Sequence, residues 1–180
     1  MDVNPDYKDL LKELNARGVK YVVIGTHALI YYTEPRFTKD LDVWVEPTRE
    51  NAQRIYEALK AFGAPLRDVG LEDFADPQTI YQIGISPCRI DIVMGVSGVK
   101  FPTAWRNKKQ VHYGDIRINI LSSKDLLRNK KASGRPQDIS DAYQLQNAVK
   151  FQKQARKQKQ NLKQSKNSHP KIRHAENQQE

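Results

Sequence analysis

Val22-Val23-Ile24-Gly25-Thr26-His27-Ala28 and, twelve residues further on, Asp40-Leu41-Asp42-Val43-Trp44-Val45-Glu46 are the stretches that decide the fold of this chain. Val19 to Ile24 is a short β-branched run, the pattern of a buried strand, and Gly25 punctuates it before the helical stretch His27 to Tyr32. In the second stretch, acidic or aromatic residues alternate with aliphatic ones. A period of two predicts a strand with one apolar face. Asp40 and Asp42 then point the same way, with Cα atoms roughly 6.5–7 Å apart. Two carboxylates aimed into one space repel each other unless water, a proton or a cation relieves them. Magnesium resolves this well, because it favours oxygen ligands and often takes one or two carboxylates plus substrate phosphates. A solvent-facing polar strand face is the plainer reading of an isolated Asp-x-Asp.

The context upstream shifts that balance. A glycine turn opening a helix offers free backbone N–H groups and a positive dipole end to a phosphate, and Thr26 adds a hydroxyl. A third carboxylate follows in Cys88-Arg89-Ile90-Asp91-Ile92-Val93, where Ile90 and Ile92 take one face and Asp91 the other. A charge in such an apolar strand needs a partner or a metal. Arg89 shares its face, so a structural Arg–Asp pair stands beside the metal reading. Three acids on two strands would suit a two-magnesium phosphoryl-transfer site, with Asp40 and Asp42 holding the ions and Asp91 binding one or activating the nucleophile.

Outward from this centre, Tyr7, Leu10, Leu11 and Leu14 recur at helical spacing, and Gly18 stops them. Thr48 can cap a helix through Phe62 with Ala52, Ile55, Tyr56 and Leu59 as its stripe. Residues 64–77 read as a loop. Thr79–Ile85 and Arg89–Met94 are strands joined at Ser86-Pro87-Cys88, and Val111–Tyr113 pairs with Ile116–Leu121 across Gly114-Asp115. Ser122 or Ser123 caps a helix to Ala132, and Pro136 opens a last helix to about Val149.

Composition removes other classes. The chain has 180 residues, 30 Lys plus Arg against 21 Asp plus Glu, and a net charge of +9. Nine of those basic residues and two of the acidic ones lie in 150–180, so the body is close to neutral and the tail carries the charge. One cysteine, Cys88, excludes an internal disulfide or multi-Cys zinc site and fits a reducing compartment. The first 30 residues show no signal-peptide pattern, and no apolar run is long enough for a membrane span. These features predict a soluble cytoplasmic protein that makes no membrane contact. Trp44, Trp105 and Tyr31-Tyr32 read as core or pocket wall, and the four histidines lack metal-ligand spacing.

Gly25-Thr26, Arg36-Phe37-Thr38-Lys39-Asp40-Leu41-Asp42 and Arg89-Ile90-Asp91 together resemble the nucleotidyltransferase superfamily that includes DNA polymerase beta. The nearer likeness is to small bacterial members, including abortive-infection toxin-like nucleotidyltransferases. Lys131-Ala132-Ser133-Gly134-Arg135-Pro136-Gln137-Asp138-Ile139-Ser140-Asp141 looks like their Lys-Ala-x-x-Arg-x-x-Asp-x-x-Asp signature. The likeness spans about residues 5–148. It implies an α+β fold, a mixed sheet flanked by helices, and one or two Mg²⁺ ions. The implied reaction moves a nucleoside monophosphate from an NTP such as ATP, releasing pyrophosphate. Asp40, Asp42 and Asp91 would be the catalytic and metal-binding acids. Gly25, Thr26, Arg36, Lys131, Arg135 and Asp138, or Asp141, would hold the nucleotide.

The family's glycine motif is usually Gly-Gly or Gly-Ser, so Thr26 is a departure. His27 beside it reads as packing in the first helical turn. The expected organisation is a nucleotidyltransferase-like domain over 1–149 and a basic tail over 150–180, disordered from about 155 because its Gln, Lys and Asn bury too little to offset ordering. Acceptors open to the enzyme are RNA such as a tRNA end, a protein side chain or a small molecule. The alternatives are a catalytically silent nucleotide- or RNA-binding module, or the toxin of a toxin–antitoxin pair with an antitoxin partner.

Overall fold

A computed structural model describes residues 3–85 and 88–167, with side chains through 161. Asn4 caps α1 (Pro5–Ala16) by accepting from the Asp6 and Tyr7 amides, and Pro5 needs no donor at that first position. The helix buries Tyr7, Leu10, Leu11 and Leu14, the four residues whose spacing predicted it. β1 (Tyr21–Val23) is buried throughout and runs directly into α2 (Gly25–Tyr32). β2 (Asp40–Val45) leads to α3 (Arg49–Phe62), which Thr48 caps and Gly63 ends at φ 88°. A turn-rich connection reaches the antiparallel pair β3 (Ile80–Ile83) and β4 (Arg89–Val93); Ser86 and Pro87, expected in the turn between them, lie outside the described residues.

α4 (Phe101–Asn107), absent from the sequence reading, follows. The hairpin β5 (Lys109–Tyr113) and β6 (Ile116–Ile120) then leads to α5 (Ser123–Ser133) and α6 (Pro136–Asn167). The α+β expectation is met: six strands form one mixed sheet in the order β3-β4-β2-β1-β6-β5. β2 and β4 are parallel, as are β1 and β6, while β1 and β2 are antiparallel. Central strands buried on both faces are covered by helices, and Leu10, Leu14, Tyr21, Trp44, Ile55, Leu59 and Ile92 fill the core. Trp44 belongs to this core, its Nε1 donating to the Met94 carbonyl, the first of the two places, core or pocket wall, expected of it.

α6 runs past its expected end at Val149 to Asn167. Residues 155–161, read from composition as unstructured, are helical and stand almost wholly in solvent. Lys, Arg, Gln and Ala are strong helix formers, so the turns propagate from a packed base without burial of their own. The expected boundary at 149/150 therefore falls within a continuous helix. Residues 168–180 lie outside the described residues. No described helix is long and apolar enough to cross a membrane.

Candidate active site

Parallel pairing of β2 and β4 sets Asp42 directly beside Asp91, and Asp40 beside Arg89. Because strand side chains alternate, Asp40, Asp42, Arg89 and Asp91 all occupy one face, as the period-two reading predicted. β1 supplies the approach from behind. The Ile24 amide donates to the Asp42 carbonyl, and Gly25 follows at φ 60°. A Cβ at Gly25 would lie 1.9 Å from Asp42 Oδ2, so only glycine lets the start of α2 sit against this carboxylate.

Crowding shows in the electrostatics. Burial first, then the charges of Asp91 and Asp40, push the Asp42 carboxyl up to about 6, against the opposing pull of Lys130 and Arg135. The Arg89 guanidinium lies among the acids. Its Nε and Nη2 donate to Asp91 at 2.8 and 3.0 Å, and Nη2 also reaches Asp40 at 3.2 Å. The sequence reading left Asp91 between a metal and an Arg–Asp pair. As it stands, the pair is made, and Arg89 bridges two of the three acids.

A second cluster joins four segments beside this one. Arg36, from the connection between α2 and β2, grips Asp141 of α6 with bonds of 2.7 and 3.1 Å and donates to Thr26 Oγ1 at 3.1 Å. Lys130 of α5, only 5% exposed, reaches Asp138 at 2.5 Å and Asp141 at 2.9 Å. Arg135 and Ser133 Oγ both donate to Asp138 at 2.6 Å. Burial would raise the Asp138 carboxyl, but the hydrogen bonds from Lys130, Ser133 and Arg135 outweigh it and hold the group at about 2. Asp141 is likewise held low by Arg36, Lys130 and Gln137 against its burial.

The structure thus brings together Asp40, Asp42, Asp91 and Gly25 in one group, and Thr26, Arg36, Arg135 and Asp138 in the adjoining one. Lys131, expected to face the nucleotide, stands exposed. Lys130 takes the inward position. It shares a helix face with buried Leu126, four residues earlier, and that phase was the available signal. Asp125 is buried as the capping partner of Ser122, with Asn107 also bonded to it, which explains it without chemistry. His27 packs edge-on between Tyr7 and Tyr113, as a residue of the first helical turn was expected to.

The donor set suits a divalent ion. Asp42 carries a charge that burial and two neighbouring carboxylates disfavour, and a cation would relieve all three. Yet among the described residues no three His, Cys, Asp or Glu side chains are arranged to hold a metal as they stand. Arg89 supplies the positive charge instead, bonded to both Asp91 and Asp40.

Comparisons with known proteins follow the geometry. The structure resembles that of the lincosamide antibiotic adenylyltransferase LnuA in its lincomycin-bound form, with a TM-score of 0.53 and 14% identity, covering 82% of this chain and 99% of that one. It also resembles the antibiotic-resistance factor ANT(2'')-Ia, with a TM-score of 0.50 and 13% identity, covering 91% and 96% of the two chains. At such identities the likeness is one of fold. No curated protein matches the sequence. The family described as "nucleotidyl transferase of unknown function (DUF2204)" matches residues 4–176, nearly the whole chain, and the chain belongs to that nucleotidyltransferase family.

Proposed function

We propose that this nucleotidyltransferase moves a nucleoside monophosphate from an NTP to an acceptor hydroxyl, with a divalent ion, Mg²⁺ in the cell, held by Asp40 and Asp42 and joined by Asp91. The observation that carries the proposal is the Gly25–Asp42–Asp91 contact: a positive-φ glycine opening a helix against two carboxylates in register on parallel strands. When bound, the ion would neutralise phosphate charge and polarise the α-phosphate. Gly25 and the first amides of α2 would hold the phosphates, with Thr26 Oγ1 as a further contact. Arg36 and Lys130, already oriented by Asp141, would present their remaining donors to the same anion. A preset arrangement lowers the reorganisation needed as charge develops.

The test incubates the protein with Mg²⁺ and each α-labelled NTP, with RNA, protein and small-molecule fractions of a cell extract as acceptors. An Asp40→Ala/Asp42→Ala variant is the control. Label entering one fraction with wild type alone is the expected result. Equal labelling by the variant would overturn the assignment.

One observation favours a second reading, a catalytically silent nucleotide-binding module: Arg89 occupies the position a cation would take between Asp91 and Asp40. A structural pair predicts no specific Mn²⁺ binding at neutral pH. The transferase predicts saturable Mn²⁺ binding that is lost in Asp42→Asn.

A further inference from the structure

Beyond Val149, α6 stands almost wholly in solvent, and its charge there differs from that of the body. From Ala142 to Asn161 it holds five basic residues, Lys150, Lys153, Arg156, Lys157 and Lys159, and no acidic one. All five are exposed. Among the described residues none of them meets a carboxylate, whereas Arg36, Arg89, Lys130 and Arg135 are each held by at least one. Gln152 donates to the Tyr32 carbonyl at 3.4 Å, which ties the base of this stretch to α2 and fixes how the helix is turned.

Helical phase sorts the exposed side chains into lines. Tyr143, Lys150, Lys153 and Lys157 fall within about 40° of one line along α6. Tyr143, at the lower end of that line, is 69% exposed and stands two residues beyond Asp141 of the candidate site. A second line runs beside the first and carries Asn147, Gln154 and Asn161, seven residues apart and all exposed. Their amides both donate and accept hydrogen bonds. From Tyr143 to Lys157 the stripe is about 21 Å long at the helical rise. A stacked single strand, with one phosphate per ~3.4 Å, lays about six nucleotides along it.

We infer that this face of α6 docks single-stranded RNA: Lys150, Lys153 and Lys157 take phosphates, Tyr143 stacks on a base, and the amide line meets 2′-hydroxyls. Lysines that follow a backbone beside an aromatic ring are the means by which single strands are held without regard to sequence. The amides favour RNA over DNA. A phosphate oxygen only accepts, whereas a 2′-hydroxyl donates and accepts, as an amide does. Other occupants fit less well. A second copy of α6 would set lysine against lysine, with no carboxylate on either side of the contact. A membrane surface needs a continuous apolar face, and between Lys150 and Asn161 the apolar residues are Phe151 and Ala155 alone. RNA docking here is independent of the transfer reading above.

The experiment follows the fluorescence anisotropy of a labelled oligoadenylate, about twice the length of the stripe, as full-length protein is added without nucleoside triphosphate or metal at about 50 to 200 mM salt. Saturable binding is expected. In Lys150→Gln/Lys153→Gln/Lys157→Gln the salt slope should fall in magnitude by about 2, three phosphate contacts at about 0.7 each. Tyr143→Ala should weaken binding about tenfold and leave the slope alone. These side chains are exposed, and glutamine and alanine sustain a helix, so circular dichroism should find both variants folded. The matching oligodeoxyadenylate should bind several-fold more weakly. An absence of saturable binding, or wild-type binding by either variant, overturns the inference. So does equal affinity for the oligodeoxyadenylate, for a polyglutamate peptide or for phosphatidylserine vesicles, which would give the face to DNA, to an acidic protein or to a membrane.

Discussion

Asp42→Asn should make the protein more stable at neutral pH while abolishing transfer. The Asp42 carboxyl is raised from 3.8 to about 6 in the fold, by burial first and by the Asp91 and Asp40 charges next. At about 1.36 kcal/mol per pKa unit, ionised Asp42 costs the native state about 3 kcal/mol relative to the protonated form. Water reaching part of the carboxylate reduces this, so a gain of about 1–2 kcal/mol is expected at pH 7.5. For a chain of this length that is roughly 2–8 °C in Tm. The sign fixes the pH window. A carboxyl whose folded pKa is raised favours the fold fully below pH 3.8, and this advantage is lost as pH rises through about 6. The amide never ionises, so the difference between variant and wild type should be near zero at pH 4 and fully open by pH 7. Urea denaturation of both proteins across that range measures it. A variant less stable than wild type at pH 7.5, or a difference that does not grow with pH, would refute the reasoning that Asp42 is held ionised against the preference of its surroundings.

Three further outcomes follow from the same geometry. Gly25→Ala places a Cβ 1.9 Å from Asp42 Oδ2 at a positive φ; displacing that carboxylate by about 1 Å should lower transfer by about 100-fold, with a loss of roughly 1–2 kcal/mol in stability, read by label transfer and urea titration. Arg89→Gln removes the charge that bridges Asp91 and Asp40, so Mn²⁺ affinity measured by electron paramagnetic resonance should rise at least several-fold; unchanged or weaker binding would show that the guanidinium does not compete with the metal. Lys130→Met removes the buried cation shared by Asp138 and Asp141 and leaves them to Arg135 and Arg36 alone, so a loss of about 1.5–3 kcal/mol is expected in equilibrium unfolding.

The shared face of Asp40, Asp42 and Asp91 was legible from the sequence because strand geometry is simple. Once Asp40, Asp42 and Asp91 sit at alternate positions of two strands, only the pairing register remained to be learned, and the parallel β2–β4 ladder supplied it. The helix cap at Thr48 was equally readable, and the cap of α5 was narrowed to Ser122 or Ser123, since a capping hydroxyl is a local chemical cause. What failed depended on contacts distant in sequence. Lys131 was preferred over Lys130 on motif spacing, whereas helix phase and the carboxylates of α6 decide which lysine turns inward. α4 was missed because Pro102 and a short length masked the spacing of Phe101, Ala104 and Trp105. A cavity bounded by Tyr7, His27, Phe37, Cys88 and Tyr113 draws its walls from α1, α2, β5 and two connections, and no single stretch of sequence announces it.

The two polar clusters have a consequence for the order of events. Arg36, Arg89, Lys130 and Arg135 face Asp40, Asp42, Asp91, Asp138 and Asp141, so four cations meet five carboxylates and no cation is left unmatched. Such a site offers a phosphate well-aimed donors without an attractive field. A bare nucleoside triphosphate would arrive as a polyanion at a nearly neutral or slightly negative surface. Its entry is then gated by the counter-ion it carries, and in a chelator its affinity should collapse while the fold is untouched. The protein would therefore respond to the concentration of the metal–nucleotide complex rather than to that of the nucleotide alone.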